Sequence, residues 1–249
     1  MAKASKRIER FVANYLATSG AKGLVVGLSG GLDSAVALQL CVRAVGARKV
    51  LGLIIPAEST PASDIRDAKS HADQLSVRHK TVDINPLVKS YGKLLPRATS
   101  KIKGNLVARI RMGVLYYHAA LDGYLVVGTS DKSELLAGYY TKYGDGASDL
   151  MPLANLYKTQ VREMAEYLGV PEKIRQKKSS PRLWPGQLAE KELGMDYETI
   201  DPILHCLVDK KMKPQQAAKS LAVPLKDVRK VQAMVRKSAH KRALPPAAT

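Results

Sequence analysis

The chain has 249 residues, 45% of them hydrophobic, and a formal net charge of +18, enough length for one large domain or one domain with a small appendage. No apolar run reaches the roughly 18 residues of a membrane span, which excludes a helical membrane protein. The charge calls for an anionic partner: nucleic acid, nucleotide, phosphorylated metabolite or membrane surface.

In chain order, residues 1–20, MAKASKRIERFVANYLATSG, read as an amphipathic helix and not as a signal peptide, because no continuous apolar segment follows the basic start. Four short runs rich in β-branched residues come next: KGLVVGLS, KVLGLIIP, VRHKTVDI and GYLVVGTS. Helical runs fall near 34–45, 63–75, 105–121 and 156–168. Near-continuous apolar strands between helices predict an α/β fold, a doubly wound parallel sheet with helices on both faces. Ligands of such sheets lie at the carboxyl ends of the strands, so the loops after Val26, Ile55 and Val127 should carry the chemistry. Residues 1–206 form the α/β domain in this reading. Residues 207–249, with 11 Lys/Arg against 2 Asp/Glu, form a basic helical appendage of the same domain. Cys41 and Cys206 lack a C-x-x-C partner and are expected as buried thiols of a reducing, cytoplasmic setting. His71, His79, His118 and His205 show no ligand spacing and are expected at the surface or half-buried.

The loop 27–35, GLSGGLDSA, joins a strand to a helix start. That layout cradles phosphate with backbone N–H groups and a helix dipole. No Gly-Lys-Ser/Thr follows, so it is not a Walker A loop, and its glycine spacing is not the dinucleotide fingerprint. Glycines admit phosphate oxygens, Ser29 and Ser34 add hydroxyls, and the Asp33 carboxylate suits a hard cation. The plain alternative is a glycine turn with a capping Ser or Asp.

SGGLDS resembles the pyrophosphate loop of the N-type ATP pyrophosphatases. The stretch 128–161, GTSDKSELLAGYYTKYGDGASDLMPLANLYKTQV, resembles one branch of that class, the ammonia-dependent NAD synthetases. The elements Gly-Thr, Lys-Ser-Glu, Gly-Tyr-x-Thr-Lys-Tyr-Gly-Asp-Gly and Pro-Leu-x-x-Leu-x-Lys occur there in order. NLVARIRM, LWPGQ with ELG, YETID and HKRALPP extend the likeness to nearly the whole chain. The resemblance implies a five-stranded sheet of the adenine nucleotide alpha hydrolase type. It also implies ATP-dependent amidation of deamido-NAD by ammonia through an adenylated acid, with AMP and pyrophosphate released. Adenylation makes chemical sense, because a bare carboxylate has no good leaving group.

Carried over residue by residue, the resemblance places ATP on Gly27, Leu28, Ser29, Gly30, Gly31, Leu32, Asp33, Ser34, Thr129, Lys158 and Ser180. Mg²⁺ falls to Asp33 and Glu134. Deamido-NAD falls to Lys142, Asp149, His240, Lys241 and one of Arg109 and Arg111, with Arg111 preferred for substrate and Arg109 for a structural carboxylate. Asp145 matches an aspartate that receives ammonium. Each has an ordinary alternative. Glu134 can be a helix-start acid, Lys158 a surface lysine, Asp145 part of an Asp-Gly turn, and His240 with Lys241 a solvated tail. Trp184 sits in LWPGQ, as a substrate contact or a hydrophobic anchor. The resemblance further implies a homodimer and free ammonia as nitrogen source, a separate glutaminase staying open. The sequence departs from the family pattern at Asp131, often Asn, at Arg182, often acidic, and in the loop after Ile55, which carries no arginine.

Two other readings are open to the loop and the charge. A tRNA-modifying ATP pyrophosphatase fits the loop and the charge but lacks a catalytic cysteine pair. A nucleic-acid binder fits the helix–turn–helix look of 215–238 but leaves 128–161 unexplained.

Overall fold

The computed structural model describes residues 1–248. Its helices and strands alternate as the apolar runs dictate: α1 (Ala2–Ser19), β1 (Gly23–Gly27), α2 (Leu32–Val45), β2 (Val50–Ile54), α3 (Ala62–Gln74), β3 (Arg78–Thr81), α4 (Asn85–Leu94), α5 (Ser100–Asp122) and β4 (Tyr124–Val127). Helices alone follow: α6 (Lys132–Ala137), α7 (Lys158–Leu168), α8 (Glu172–Arg175), α9 (Ala189–Leu193), α10 (Tyr197–Leu204), α11 (Pro214–Leu221) and α12 (Leu225–Lys237).

The sheet is fully parallel in the order β3-β2-β1-β4. Successive strand residues point to opposite faces, and each face finds its own core. Leu24, Val26, Val50 and Ile54 pack in one core with residues of α1, α2, α3 and α7, while Val25, Leu51, Leu53 and Val126 pack in a second with Val107 and Ala119 of α5. Burial on both sides is why β1 and β2 read as unbroken apolar runs. The N-terminal helix forms as expected, burying Ile8, Val12 and Leu16 at a four-residue spacing against α2. Each such side chain contributes about 1.5–3 kcal/mol on burial.

Two expectations need correction. The sheet has four strands, not five. Where a fifth would stand there is a single parallel bridge between Val127 and Leu150, and Pro152, without an N–H, stands two residues on. His71 is buried at 4% exposure, with Nε2 3.3 Å from the Ala35 carbonyl. The third strand, RHKT, is mostly exposed because it is an edge, where charged side chains discourage further pairing. Both cysteines are free and buried, and burial pushes the Cys41 thiol up to about 12, leaving it unreactive.

The chain leaves β1 to build β2 and β3 on one side, then returns to place β4 on the other. The topological switch therefore lies between β1 and β4, and a crevice opens at their carboxyl ends. A third, helical core covers that end. It gathers Tyr157, Ala189, Leu193, Tyr197, Ile200, Ile203, Leu204, Ala217, Val228 and Val231.

Candidate active site

The loop leaving β1 is held on the sheet by the Leu28 amide, which donates to Leu53 O at 2.8 Å. Its hydroxyls are spent on the loop itself. Ser34 Oγ accepts from Ser29 N at 3.3 Å and donates to Gly31 O at 3.0 Å, while Ser29 Oγ accepts from Gly31 N at 3.2 Å. The amides of Gly30, Leu32, Asp33 and Ser34 find no protein acceptor among the described residues. Helix α2 begins at Gly31 without a side-chain cap. The result is an uncapped helix start with free amides, a ready anion cradle. Gly30 has φ +74°, and a Cβ there would overlap the Asp64 backbone carbonyl. Gly30→Ala should cost more than about 2 kcal/mol, which is about 4 °C or more in thermal midpoint. An unchanged melting curve for that variant would refute the packing argument.

Beside the cradle stands a charge cluster. The Lys158 ammonium lies 2.7 Å from Asp33 Oδ1, 2.9 Å from Asp131 Oδ2 and 3.0 Å from Glu134 Oε1. The ammonium donates to Asp33 Oδ1 and Glu134 Oε1 and is ion-paired with Asp131, whose buried Oδ2 receives no hydrogen bond. Lys158 and Asp131 are wholly buried, whereas the Asp33 and Glu134 side chains keep 25% and 19% exposure. The surface-lysine alternative for Lys158 is therefore wrong. Burial pushes Asp131 up to about 6 against the pull of Lys158, and pushes Glu134 well above the usual carboxylate range. Burial alone would lower Lys158, yet Asp131, Asp33 and Glu134 hold it well above its ordinary value.

Local sequence explains how these side chains arrive. Asp131 caps α6, its Oδ1 accepting from Glu134 N at 2.8 Å, while Glu134 Oε2 accepts from Asp131 N at 3.4 Å. That reciprocal box turns Lys-Ser-Glu into a fixed helix start. Ser133 Oγ donates to Asp201 Oδ1 at 2.5 Å and accepts from Lys158 N at 2.9 Å, tying the starts of α6 and α7 to α10. Tyr197 lies over Lys158, 5.4 Å from ring centre to Nζ, and its buried hydroxyl has no partner.

A second group forms across the mouth of the crevice. Asp145 is exposed in its turn, and Thr141 N donates to its Oδ1 at 2.9 Å. Desolvation by the surrounding protein pushes the Asp145 carboxyl upward, and desolvation lowers Arg111 and Lys241 below their ordinary values, the Asp145 charge opposing it in part. Lys142 Nζ donates to His240 O, and Lys241 Nζ donates to Gly138 O and Tyr140 O, each at 2.7 Å. Residues 240 and 241 are thus docked, not a loose tail. Gly138 (φ +73°) has no room for a Cβ because Ser238 fills the space.

The two arginines of α5 part company as their spacing requires. Arg109 Nη2 donates to Lys142 O at 3.3 Å, while Arg111 donates to Ile55 O at 3.0 Å and Thr60 Oγ1 at 3.1 Å. Neither is hydrogen-bonded to a carboxylate, contrary to the structural partner expected for Arg109. Arg111 brings a guanidinium to the loop after β2, which has none of its own. Asp149 sits at the base of β4, accepting from Val126 N at 2.7 Å and Tyr116 OH at 3.2 Å. Ser180 Oγ donates to Gln187 O at 2.6 Å, and Thr129 is half-buried after β4. Trp184 and Leu183 pack over Gly104 of α5.

From sequence, Asp131 stands only as a departure from the family pattern, Tyr197 and Asp201 are named only within YETID, and Asp64 and Lys177 have no role. Asp131 had a signal: an acid three residues before a glutamate is a capping box. YETID marks Tyr197 and Asp201 without saying what they touch, and Asp64 and Lys177 carry no signal, since an isolated Asp or Lys says nothing of its neighbours.

Three carboxylates against one ammonium leave surplus negative charge, which a divalent cation at the two open carboxylates would neutralise. Among the described residues no group of three or more His, Cys, Asp and Glu forms a complete protein metal cage. Two carboxylates beside an anion cradle instead suit Mg²⁺, which takes its remaining ligands from phosphate and water.

The NAD synthase family model matches residues 4–245. An NH(3)-dependent NAD(+) synthetase of Hyperthermus butylicus is 55% identical over 98% of this chain and 89% of that protein. A solved NH3-dependent NAD synthetase of Campylobacter jejuni superposes with a TM-score of 0.84 at 30% identity, covering 99% and 98% of the two chains. A solved NMN synthetase of Francisella tularensis superposes with a TM-score of 0.87 at 34% identity, covering 99% and 97%. Matched over residues 4–245 by the family model and over nearly its whole length by these relatives, the chain belongs to the NAD synthase family.

Proposed function

We propose that this chain amidates a nicotinate carboxylate with ammonia at the expense of ATP, making NAD⁺ from deamido-NAD. The observation that carries the reading is the convergence, at the switch between β1 and β4, of the free amides of Gly30, Leu32, Asp33 and Ser34 with the open carboxylates of Asp33 and Glu134. The amides receive the departing pyrophosphate, with ATP bound along 27–34, Thr129 and Ser180. Lys158, buried and held by Asp33 and Glu134, sets the charge and spacing of the carboxylates that face ATP. Asp33 and Glu134 would hold Mg²⁺, which supplies neutralisation of the polyphosphate when bound.

The nicotinate carboxylate attacks the α-phosphate, pyrophosphate leaves, and the acid is adenylated. Ammonia then attacks the acyl carbon and AMP departs. Asp145, with its raised proton affinity, receives ammonium and takes up its proton. Arg109, Arg111, Lys142, Asp149, His240 and Lys241 surround the dinucleotide acid; the docking of 240–241 beside the Asp145 turn supports this grouping.

The proposal includes a homodimer. The outer faces of α4 and α5 expose Leu87, Tyr91, Leu94, Ile102, Tyr117 and Leu121, an apolar surface of the kind that protein contacts cover. A single-chain mass by light scattering would remove that part. It also places residues 1–206 and the basic end 207–249 in one cooperative unit, since the helical core draws on both. A cytoplasmic setting accords with two free buried cysteines, and no helix among the described residues is long and apolar enough to cross a membrane.

The test is direct. Protein, ATP, Mg²⁺ and ammonium are incubated with deamido-NAD or with nicotinate mononucleotide, and amide, AMP and pyrophosphate are measured. NAD⁺ should form with AMP and pyrophosphate in equal amounts. Preference for the mononucleotide would reassign the substrate to that of the Francisella relative, and activity with glutamine replacing ammonium would reassign the nitrogen source. Asp145→Ala should slow amide formation by about a hundredfold, as loss of a general base does, while sparing pyrophosphate release. Equal loss of both steps would move Asp145 out of the ammonia step.

A further inference from the structure

Residue Lys177 lies outside every motif named above, yet its side chain touches the anion cradle. Its Nζ donates to Gly30 O at 2.8 Å and Asp64 Oδ1 at 2.7 Å, and pairs with Asp67 Oδ2 at 2.6 Å. These three acceptors use all the protons of the ammonium. Lys177 therefore holds the protein and has no donor left for a ligand. Asp64 is buried at 4% exposure and is shared: its other oxygen accepts from Arg182 Nε at 3.2 Å. Arg182 has φ +52°, and its carbonyl accepts from Ser59 Oγ at 2.6 Å. A bulky residue in that region is strained and persists only where its surroundings overdetermine it. Thus the segment 176–188 is fastened at two points to one carboxylate of α3, and through Lys177 to the loop after β1.

The contact with Gly30 has a specific consequence. In a trans peptide the carbonyl and the following N–H point in opposite directions. The Gly30–Gly31 unit has its oxygen on Lys177 and its N–H on Ser29 Oγ, at 2.8 and 3.2 Å. A Gly-Gly peptide turns over at little steric cost. Turned over, it would lose both bonds, set its carbonyl oxygen against Ser29 Oγ and change the backbone between the free amides of Gly30 and Leu32. We infer that Lys177 is a positioning residue, which locks the Gly30–Gly31 peptide through Asp64 and Asp67 and so keeps the cradle in its pyrophosphate-accepting shape. This rests on the proposed function and adds to it a part no motif carries.

The experiment compares the full-length protein with Lys177→Met, Lys177→Gln and Lys177→Arg. KM for ATP, KM for ammonium, kcat, inhibition by inorganic pyrophosphate and the thermal midpoint are measured for each. In Lys177→Met, KM for ATP and the pyrophosphate inhibition constant should both rise about tenfold or more, the scale of a lost charged hydrogen bond. KM for ammonium should not move. Lys177→Arg, which keeps charge and donors, should recover part of the loss, and Lys177→Gln carries the comparison if the methionine variant fails to fold. A folded Met or Gln variant with wild-type pyrophosphate inhibition and KM for ATP overturns the inference. Loss of thermal stability with those constants unchanged overturns it too, leaving Lys177 a brace only. Wild-type protein that makes no amide would instead sink the proposed function.

Discussion

Asp33→Asn should abolish pyrophosphate release, lowering it by about a thousandfold, because the change removes several kcal/mol of charge stabilisation from the polyphosphate. The ligand-free protein should barely notice. Asp33 is one of three carboxylates around a single ammonium, and it is the most exposed of them at 25%. Removing it leaves Lys158 with Asp131 and Glu134, so charge balance improves. The thermal midpoint without ligand should stay within a few degrees of wild type or rise. The increment that ATP with Mg²⁺ adds to that midpoint, a measure of binding to the folded state, should shrink sharply. Calorimetry with and without nucleotide separates these outcomes. A variant that keeps wild-type turnover would remove Asp33 from the reaction altogether.

Lys158→Met should act in the opposite way, as a folding defect before anything else. The wild-type ammonium is wholly buried and sits within 3.0 Å of three carboxylates. Removing one partner from a buried ionic cluster costs about 3–5 kcal/mol, which for a chain of this size is a drop of about 6–20 °C in midpoint. The loss should shrink in acid. Without Lys158, Asp131 and Glu134 keep each other and Asp33 as like-charged neighbours, and their folded affinities for protons must rise further above those of the unfolded chain. Groups with raised folded values bind protons on folding, so the variant gains stability as pH falls through those values. Asp131 already stands at about 6 with the lysine present. The gap between variant and wild type should therefore narrow on going from pH 8 to about pH 5.5. Equal midpoints at pH 8 would show that the cluster is not the closed network described.

Much of this protein was readable from local pattern. The β-branched runs of β1, β2 and β4 and the glycines of 27–34 are short-range signals, because strand propensity and turn chemistry act over a few residues. They placed the strands, the phosphate cradle and the crevice. The motif between 128 and 161 placed Glu134, Asp145 and Lys158 near the chemistry through resemblance alone. The alternation offered four strand runs and four form; the fifth came from the resemblance, and here a proline two residues past Leu150 leaves only a single bridge.

Partnership between distant residues was another matter. Lys158 and Asp33 are 125 positions apart, and nothing in either neighbourhood says that they touch. A lysine is by habit a surface residue; only the packing of α6, α7 and α10 made this one the buried centre of three acids. Which loop Arg109 and Arg111 brace, the burial of His71, the docking of Lys241 on the Gly138 turn and the grip of Lys177 on Gly30 were likewise settled in three dimensions. Sequence by itself determined which backbone shapes form, since those energies are local. Tertiary structure decided which charges meet, since that depends on how elements far apart along the chain pack, and it is those meetings that tune the site.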